Sequence, residues 1–217
     1  LVDGATYKEL GTITGVGNNP TQVCTIGDVN GDRYQDIVII GNGYDNASST
    51  ILVYLGSAGK NAFEKLKGGK ADARKTITVG DYIDVKVGDV TGDGKANIVA
   101  YTSKRLDTSK DSKSQPRGPA GKIYVMDYQN MTSSNSKAIE IQEPQSHFVY
   151  HRGVELVAFR GPAQAKDIVG TRQVWRYGDN QKFTAVHEHP SKFGHEDNYE
   201  NANNEYAESY MPKDGMA

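Results

Sequence analysis

The chain has 217 residues, 36% of them hydrophobic and 24% charged, enough to bury the core of one or two domains. A formal net charge of -2 leaves no electrostatic footprint for nucleic acid or an anionic membrane, and one cysteine excludes both an internal disulfide framework and a cysteine-based zinc site. No apolar run approaches the roughly 20 residues of a membrane span, while 24 Gly and 13 Tyr beside many β-branched residues favour strands and tight turns.

In chain order, the first strand-like segment is YKELGTIT (7–14). It has no earlier partner strands, and the chain starts at Leu1 with no visible signal peptide. The expectation is a fragment or processed chain, with 7–14 as the closing strand of a sheet that begins elsewhere. Next, Cys24 and Ile26 alternate with polar neighbours, the period of a half-buried strand. Cys24 is expected to be a buried core thiol.

Residues 27–38 then read GDVNGDRYQDIV, and residues 88–99 read GDVTGDGKANIV. Seven of the twelve positions are identical without a gap, at an offset of 61 residues. Such an internal repeat governs the fold. Each copy runs into a β-branched segment, IVII (37–40) or IVAY (98–101). A third apolar segment follows, TILVYLG (50–56) or KIYVMDY (122–128), and then a fourth, TITV (76–79) or AIEIQ (138–142). Four short strands per unit is the content of a propeller blade. A weaker third unit comprises VELVAFRG (154–161), KDIVGT (166–171), RQVWRY (172–177) and FTAVHE (183–188). In it Phe159, Gly161 and Ala163 stand where Asp28, Asn30 and Asp32 stand in the first, so it is expected to bind no metal.

The first loop offers oxygens at Asp28, Asn30, Asp32 and Asp36, with the Tyr34 carbonyl to complete the set. Hard oxygen donors with three carboxylates suit Ca²⁺, and Gly31 suits the sharp turn. The second loop offers Asp89, Thr91, Asp93, the Lys95 carbonyl and Asn97. One fewer carboxylate predicts weaker binding there. EF-hand and dockerin readings fail, because position twelve is Ile39 or Ala100 rather than Glu, and the exiting segments are strand-like.

These motifs resemble the FG-GAP repeat (integrin-α-like, also called VCBS) of β-propellers. The resemblance is close over 21–60 and 82–101, includes YLGSAG (54–59), is loose over 153–188 and does not reach the tail. It implies an all-β fold of about three four-stranded blades, with units at about 15–80, 81–143 and 150–187. It also implies that the loop joining the first two strands of a blade binds Ca²⁺ through Asp28, Asn30, Asp32, Tyr34 and Asp36. At 61–70 residues per blade, six or seven blades would need about 370 to 490 residues. The ring is therefore expected to be incomplete, and completed by missing parts of a longer chain or by other subunits.

The remaining segments carry weaker signals. Residues 102–120 form a basic insertion of net charge +3, expected as a solvated loop. Asn46 and Asn130 head glycosylation sequons in predicted loops. Trp175 and Tyr177 alternate on a strand and are expected to pack in the core, a sugar-stacking platform being the alternative. His187, His189 and His195 fit no recognisable metal spacing. Residues 188–217 carry -5, against +3 for residues 1–187, and read as a polar acidic tail.

No catalytic constellation is evident. The resemblance implies a calcium-stabilised, extracellular or cell-surface recognition and adhesion module that binds a protein or glycan. One alternative is a self-assembling filament or matrix subunit. Another is a propeller-type polysaccharide lyase or sugar dehydratase, with His147, Tyr150, His151 and Arg152 as its acid–base candidates.

Overall fold

The alternating apolar pattern becomes three antiparallel meanders. The computed structural model describes residues 6–9, 22–42, 48–58, 70–78, 82–103, 121–133, 137–144, 153–161, 163–170 and 173–188. Sheet 1 contains β1 (Gln22–Gly27), β2 (Asp36–Asn42), β3 (Ser48–Tyr54) and β4 (Ala73–Thr78), paired in that order. Sheet 2 contains β5 (Tyr82–Gly88), β6 (Asn97–Ser103), β7 (Lys122–Met126) and β8 (Ile139–Gln142), with a short helix α1 (Tyr128–Thr132) between its last two strands. Sheet 3 contains β9 (Glu155–Val157), β10 (Asp167–Val169), β11 (Gln173–Tyr177) and β12 (Phe183–Glu188). Among the described residues the chain is all-β apart from this one turn of helix, and the sheets form no closed barrel.

The repeat is preserved in the strand register. Ile26 pairs with Ile37, Val87 with Ile98, and Leu156 with Ile168. On the other edge of the second strand, Ile37 pairs with Tyr54, Ile98 with Met126, and Ile168 with Trp175. These pairings fix structural equivalence even for the third unit, where sequence identity is nearly lost.

Side chains alternate between the two faces of a strand, and the sheets use this to stack. Val38, Ile40, Ile51 and Val53 of sheet 1 meet Val85, Ile98, Ala100, Tyr124 and Met126 of sheet 2 in one core. The opposite face of sheet 2, with Val99, Tyr101, Ile123 and Val125, meets Ile168, Leu156, Trp175 and Phe183 of sheet 3 in a second. Sheet 2 is thus covered on both faces, and every residue of β6 is buried. That is why its sequence is nearly continuous in apolar residues rather than alternating.

First strands lie beside first strands: β1 contacts β5, and β5 contacts β9. Each contact is a branched side chain seated on a glycine. Val87 lies over Gly27, where an added Cβ would collide with it, and a Cβ at Gly88 would come within 3.0 Å of Leu156 Cδ1. Gly27 and Gly88 are 61 residues apart, as are Ile26 and Val87. By register the third member of the glycine series is Val157, and the branched residue of sheet 1 is Ile26, which is 63% exposed. Polar contacts also join sheets 2 and 3. Val154 N donates to Asp84 Oδ2 at 3.1 Å, Lys166 N donates to the Asp89 carbonyl at 2.8 Å, and Lys86 pairs with Glu155 at 3.0 Å.

Several expectations meet the structure differently. Cys24 is exposed, because β1 is an edge strand of sheet 1 and its Cys24–Ile26 face points away from sheet 2. Partial desolvation still pushes its thiol pKa up. Asn130 lies in α1 rather than in a loop, and its Oδ1 accepts the Asp127 N–H at 2.9 Å. Of the segment 7–14, only residues 7–9 are described. Tyr7 there is 84% exposed, and Glu9 forms an isolated bridge. The insertion at 104–120, Asn46 and the tail beyond 188 lie outside the described residues.

Gly27→Ala should therefore cost about 1–3 kcal/mol through overpacking against Val87, measured by urea denaturation. Adding Val87→Ala should recover part of that loss. Strictly additive losses would show that the two sites do not touch.

Candidate metal-binding loops

The loop between β1 and β2 is drawn inward by its own carboxylates. Asp28 Oδ1 accepts the Gly31 N–H at 2.7 Å and the Asp32 N–H at 3.1 Å, while Oδ2 accepts the Arg33 N–H at 2.7 Å. Asp32 accepts the Tyr34 N–H at 2.9 Å and the Asn30 side-chain amide at 2.9 Å. Short polar side chains that bond to the backbone a few residues on are the usual device for such a turn. Gly31 and Arg33 take left-handed φ values of 83° and 72° to bring these N–H groups round.

Asp36 ends the loop and is fully buried. Its two oxygens accept the Val29 N–H and the Gly56 N–H, each at 2.8 Å, tying the loop to the end of β3. Burial pushes its carboxyl above the ordinary aspartate value, the two N–H groups pull it back, and the charges of Asp32 and Asp28 push it further up. Asp36 therefore feels the charges of the other two carboxylates. Among the described residues none of them is ion-paired with a lysine or arginine.

The loop between β5 and β6 repeats the main bonds of this turn. Asp89 accepts the Gly92 N–H at 2.6 Å and the Gly94 N–H at 2.9 Å. Asp93 accepts the Lys95 N–H at 3.0 Å, and Asn97 Oδ1 accepts the Val90 N–H at 2.9 Å. Glycine replaces Arg33 at the second left-handed position, Gly94, with φ 81°. Thr91 Oγ1 lies 3.3 Å from Asp93 Oδ1 and 3.4 Å from Asn97 Oδ1. The loop has in addition a partner that sequence spacing does not reveal: the Asn97 side-chain amide donates to Asp127 Oδ1 at 2.6 Å. Asp127 stands opposite Asn97, one step beyond the Ile98–Met126 pair.

In the third unit the equivalent buried acid is Asp167, again fully buried. Arg176 stands opposite it and grips it with two hydrogen bonds, Nε to Oδ1 at 2.8 Å and an Nη2 bond to Oδ2 at 2.7 Å. Arg160 approaches to 3.8 Å. The two acids and the amide of the first loop are missing here, and this loop carries instead an exposed Phe159, a left-handed Gly161 and an exposed Ala163. A guanidinium from the neighbouring strand thus balances the one carboxylate that remains. Arg176 and Asp127 could be found from sequence only by aligning the third strands, which places Leu55, Asp127 and Arg176 at one position.

No protein-family model, no curated protein and no solved structure matches the chain. The donor set itself must carry the assessment of a metal. Among the described residues no group of three or more His, Cys, Asp or Glu side chains is gathered as a metal cage. The first loop mixes carboxylates with an amide and a main-chain carbonyl, all hard oxygens, and among the described residues no lysine or arginine pairs with its carboxylates. That chemistry fits a calcium ion. The second loop has fewer acids of its own and a committed Asn97.

The other candidate residues are dispersed. His147, Tyr150, His151, Arg152, His189 and His195 lie outside the described residues. His187 is exposed on β12. Trp175 packs in the second core and donates its indole N–H to Glu143 Oε1 at 3.4 Å. Tyr177 packs on Phe183 with ring centroids 5.0 Å apart.

Arg176→Leu should leave the buried Asp167 charge unpaired and cost about 3 kcal/mol at neutral pH, read by urea denaturation. Combining it with Asp167→Asn should restore much of the loss. A negligible cost for the single variant would show that the guanidinium does not balance this carboxylate.

Proposed function

We propose that the chain is a calcium-stabilised recognition module built from propeller-type blades of the FG-GAP kind, acting outside the cell by binding rather than by catalysis. The observation that carries this reading is the first loop. There burial pushes the Asp36 carboxyl up, the charges of Asp32 and Asp28 add to this, and among the described residues no lysine or arginine pairs with the three. Asp28, Asn30, Asp32, Asp36 and the Tyr34 carbonyl would hold the ion. Asp89, Thr91, Asp93, Asn97 and the Lys95 carbonyl would form a weaker second site. The ion would supply positive charge to a loop whose acids otherwise repel. An exposed loop of this kind belongs with extracellular modules of about 10⁻⁴–10⁻³ M affinity. The blade reading is supported by the adjacency of β1, β5 and β9, which corresponds to the inner strands of a propeller, and by the repeated stacking of like faces.

A second reading concerns partners. Ile26 is exposed on the face whose equivalents in sheet 2, Val85 and Val87, pack against sheet 1. That favours docking of a further sheet there, from a longer polypeptide or another subunit.

Thermal unfolding in millimolar Ca²⁺, in chelator and in Mg²⁺ tests the metal. At 10 mM, Ca²⁺ stands about 10 to 100 times above that dissociation constant and should add about 1.4 to 2.7 kcal/mol, and Asp32→Ala should abolish that gain while chelator stability changes less. No calcium-dependent shift in the wild-type chain would sink the site.

Asn97→Asp sets a second carboxylate against Asp127. It should lower stability in chelator yet enlarge the gain from Ca²⁺, as read by the same scans. A smaller gain than wild type would show that Asn97 is not part of a cation site.

A further inference from the structure

A cleft of about 420 Å³ opens where the second loop meets sheet 3. Its size falls in the range of small-molecule sites. One wall is the loop carrying Asp89 and Thr91, the second is the β9–β10 connection with Arg160 and Gln164, and the third is the β11–β12 turn with Tyr177, Asp179 and Gln181. Charged groups on two of these walls are already engaged. Both Asp89 oxygens hold loop N–H groups, and Arg160 donates to the Ala165 carbonyl at 3.1 Å beside Asp167. The side-chain amides of Gln164 and Gln181 and the carboxylate of Asp179 have no hydrogen-bond partner among the described residues.

The turn carrying Gln181 is unusual. Gln181 N donates to the Gly178 carbonyl at 2.9 Å, and Gly178 N donates to the Lys182 carbonyl at 3.0 Å, closing a short hairpin. Gln181 itself sits at φ 58°, in the left-handed region where such turns favour glycine. A long amide side chain held at a position suited to glycine, and facing a cleft, is strain of the kind that marks ligand sites. Tyr177 begins the same turn, and its ring is braced against Phe183 at 55°.

We infer that this cleft binds a neutral saccharide of one to three residues, with Gln164 and Gln181 as the specificity-determining side chains. Side-chain amides both donate and accept, which suits the paired hydroxyls of a sugar ring. The Tyr177 ring offers an apolar face beside them. Asp179 accepts a further hydroxyl, and with Asp89 it sets two carboxylates against the single guanidinium of Arg160, which disfavours acidic sugars. The inference gives the glycan reading of the module a definite site, and it does not require calcium.

Isothermal titration and saturation-transfer NMR with maltotriose, cellotriose, mannotriose and a trigalacturonate would test it, on the full chain in calcium and in chelator. At least one neutral trisaccharide should bind, and trigalacturonate should bind at least tenfold more weakly. Gln181→Gly should raise the melting temperature by relieving the turn, yet weaken sugar binding at least tenfold. Gln164→Ala should weaken it without changing the melting temperature. Binding by Gln181→Gly equal to wild type, preference for the uronate, or no binding of any neutral probe would overturn the proposal. A calcium-induced melting shift without sugar binding would refute the cleft alone. Sugar binding without such a shift would refute the calcium reading alone.

Discussion

Each sheet hangs from one buried polar side chain at the start of its second strand: Asp36, Asn97 or Asp167, all fully buried. A polar group so placed must be satisfied or it destabilises the fold, and the chain satisfies it in three ways. Asp36 takes two backbone N–H groups, one from its own loop and one from the end of β3, and keeps its charge among other acids. Asn97 has given up the charge, which reappears across the strand pair on Asp127. Asp167 keeps the charge and meets Arg176. The residue opposite, which is Leu55, Asp127 or Arg176, decides which solution each unit adopts.

The loop chemistry and the stacking are linked through this position. The hydrogen bonds from Val29 and Val90 to Asp36 and Asn97 place those valines in the two cores, where both are buried. The same turn that gathers oxygens therefore anchors an apolar residue between sheets. Lys166 N bonds to the Asp89 carbonyl, so sheet 3 rests directly on the second loop. A change in the order of that loop would reach the cleft beside it through this contact and through Thr91.

Much of the architecture was legible in the sequence, because strand period and the duplicated Gly-Asp motif are local signals. IVII, IVAY, TILVY and KIYVM fall in β2, β6, β3 and β7. The loop turns were legible too, since Asp and Gly in that spacing act within a few residues of themselves. What was hidden depends on partners distant in the chain. Nothing near Cys24 says that its face of β1 turns outward. Asp127 lies thirty residues from Asn97, and only strand pairing unites them. The cleft draws on three separate connections, and its most telling residue, Gln181, is identified by a backbone angle rather than by sequence.

The seat that Gly27 and Gly88 provide gives the series a direction with consequences for how such a chain can lengthen. A newly duplicated unit inserted between sheets 1 and 2 would bring both the branched residue its predecessor receives and the glycine its successor requires. A unit appended after sheet 3 would meet Val157 where sheets 1 and 2 offer glycine. Growth by duplication is therefore permitted within the series and blocked at one side of it, until a mutation to glycine at position 157 reopens that side.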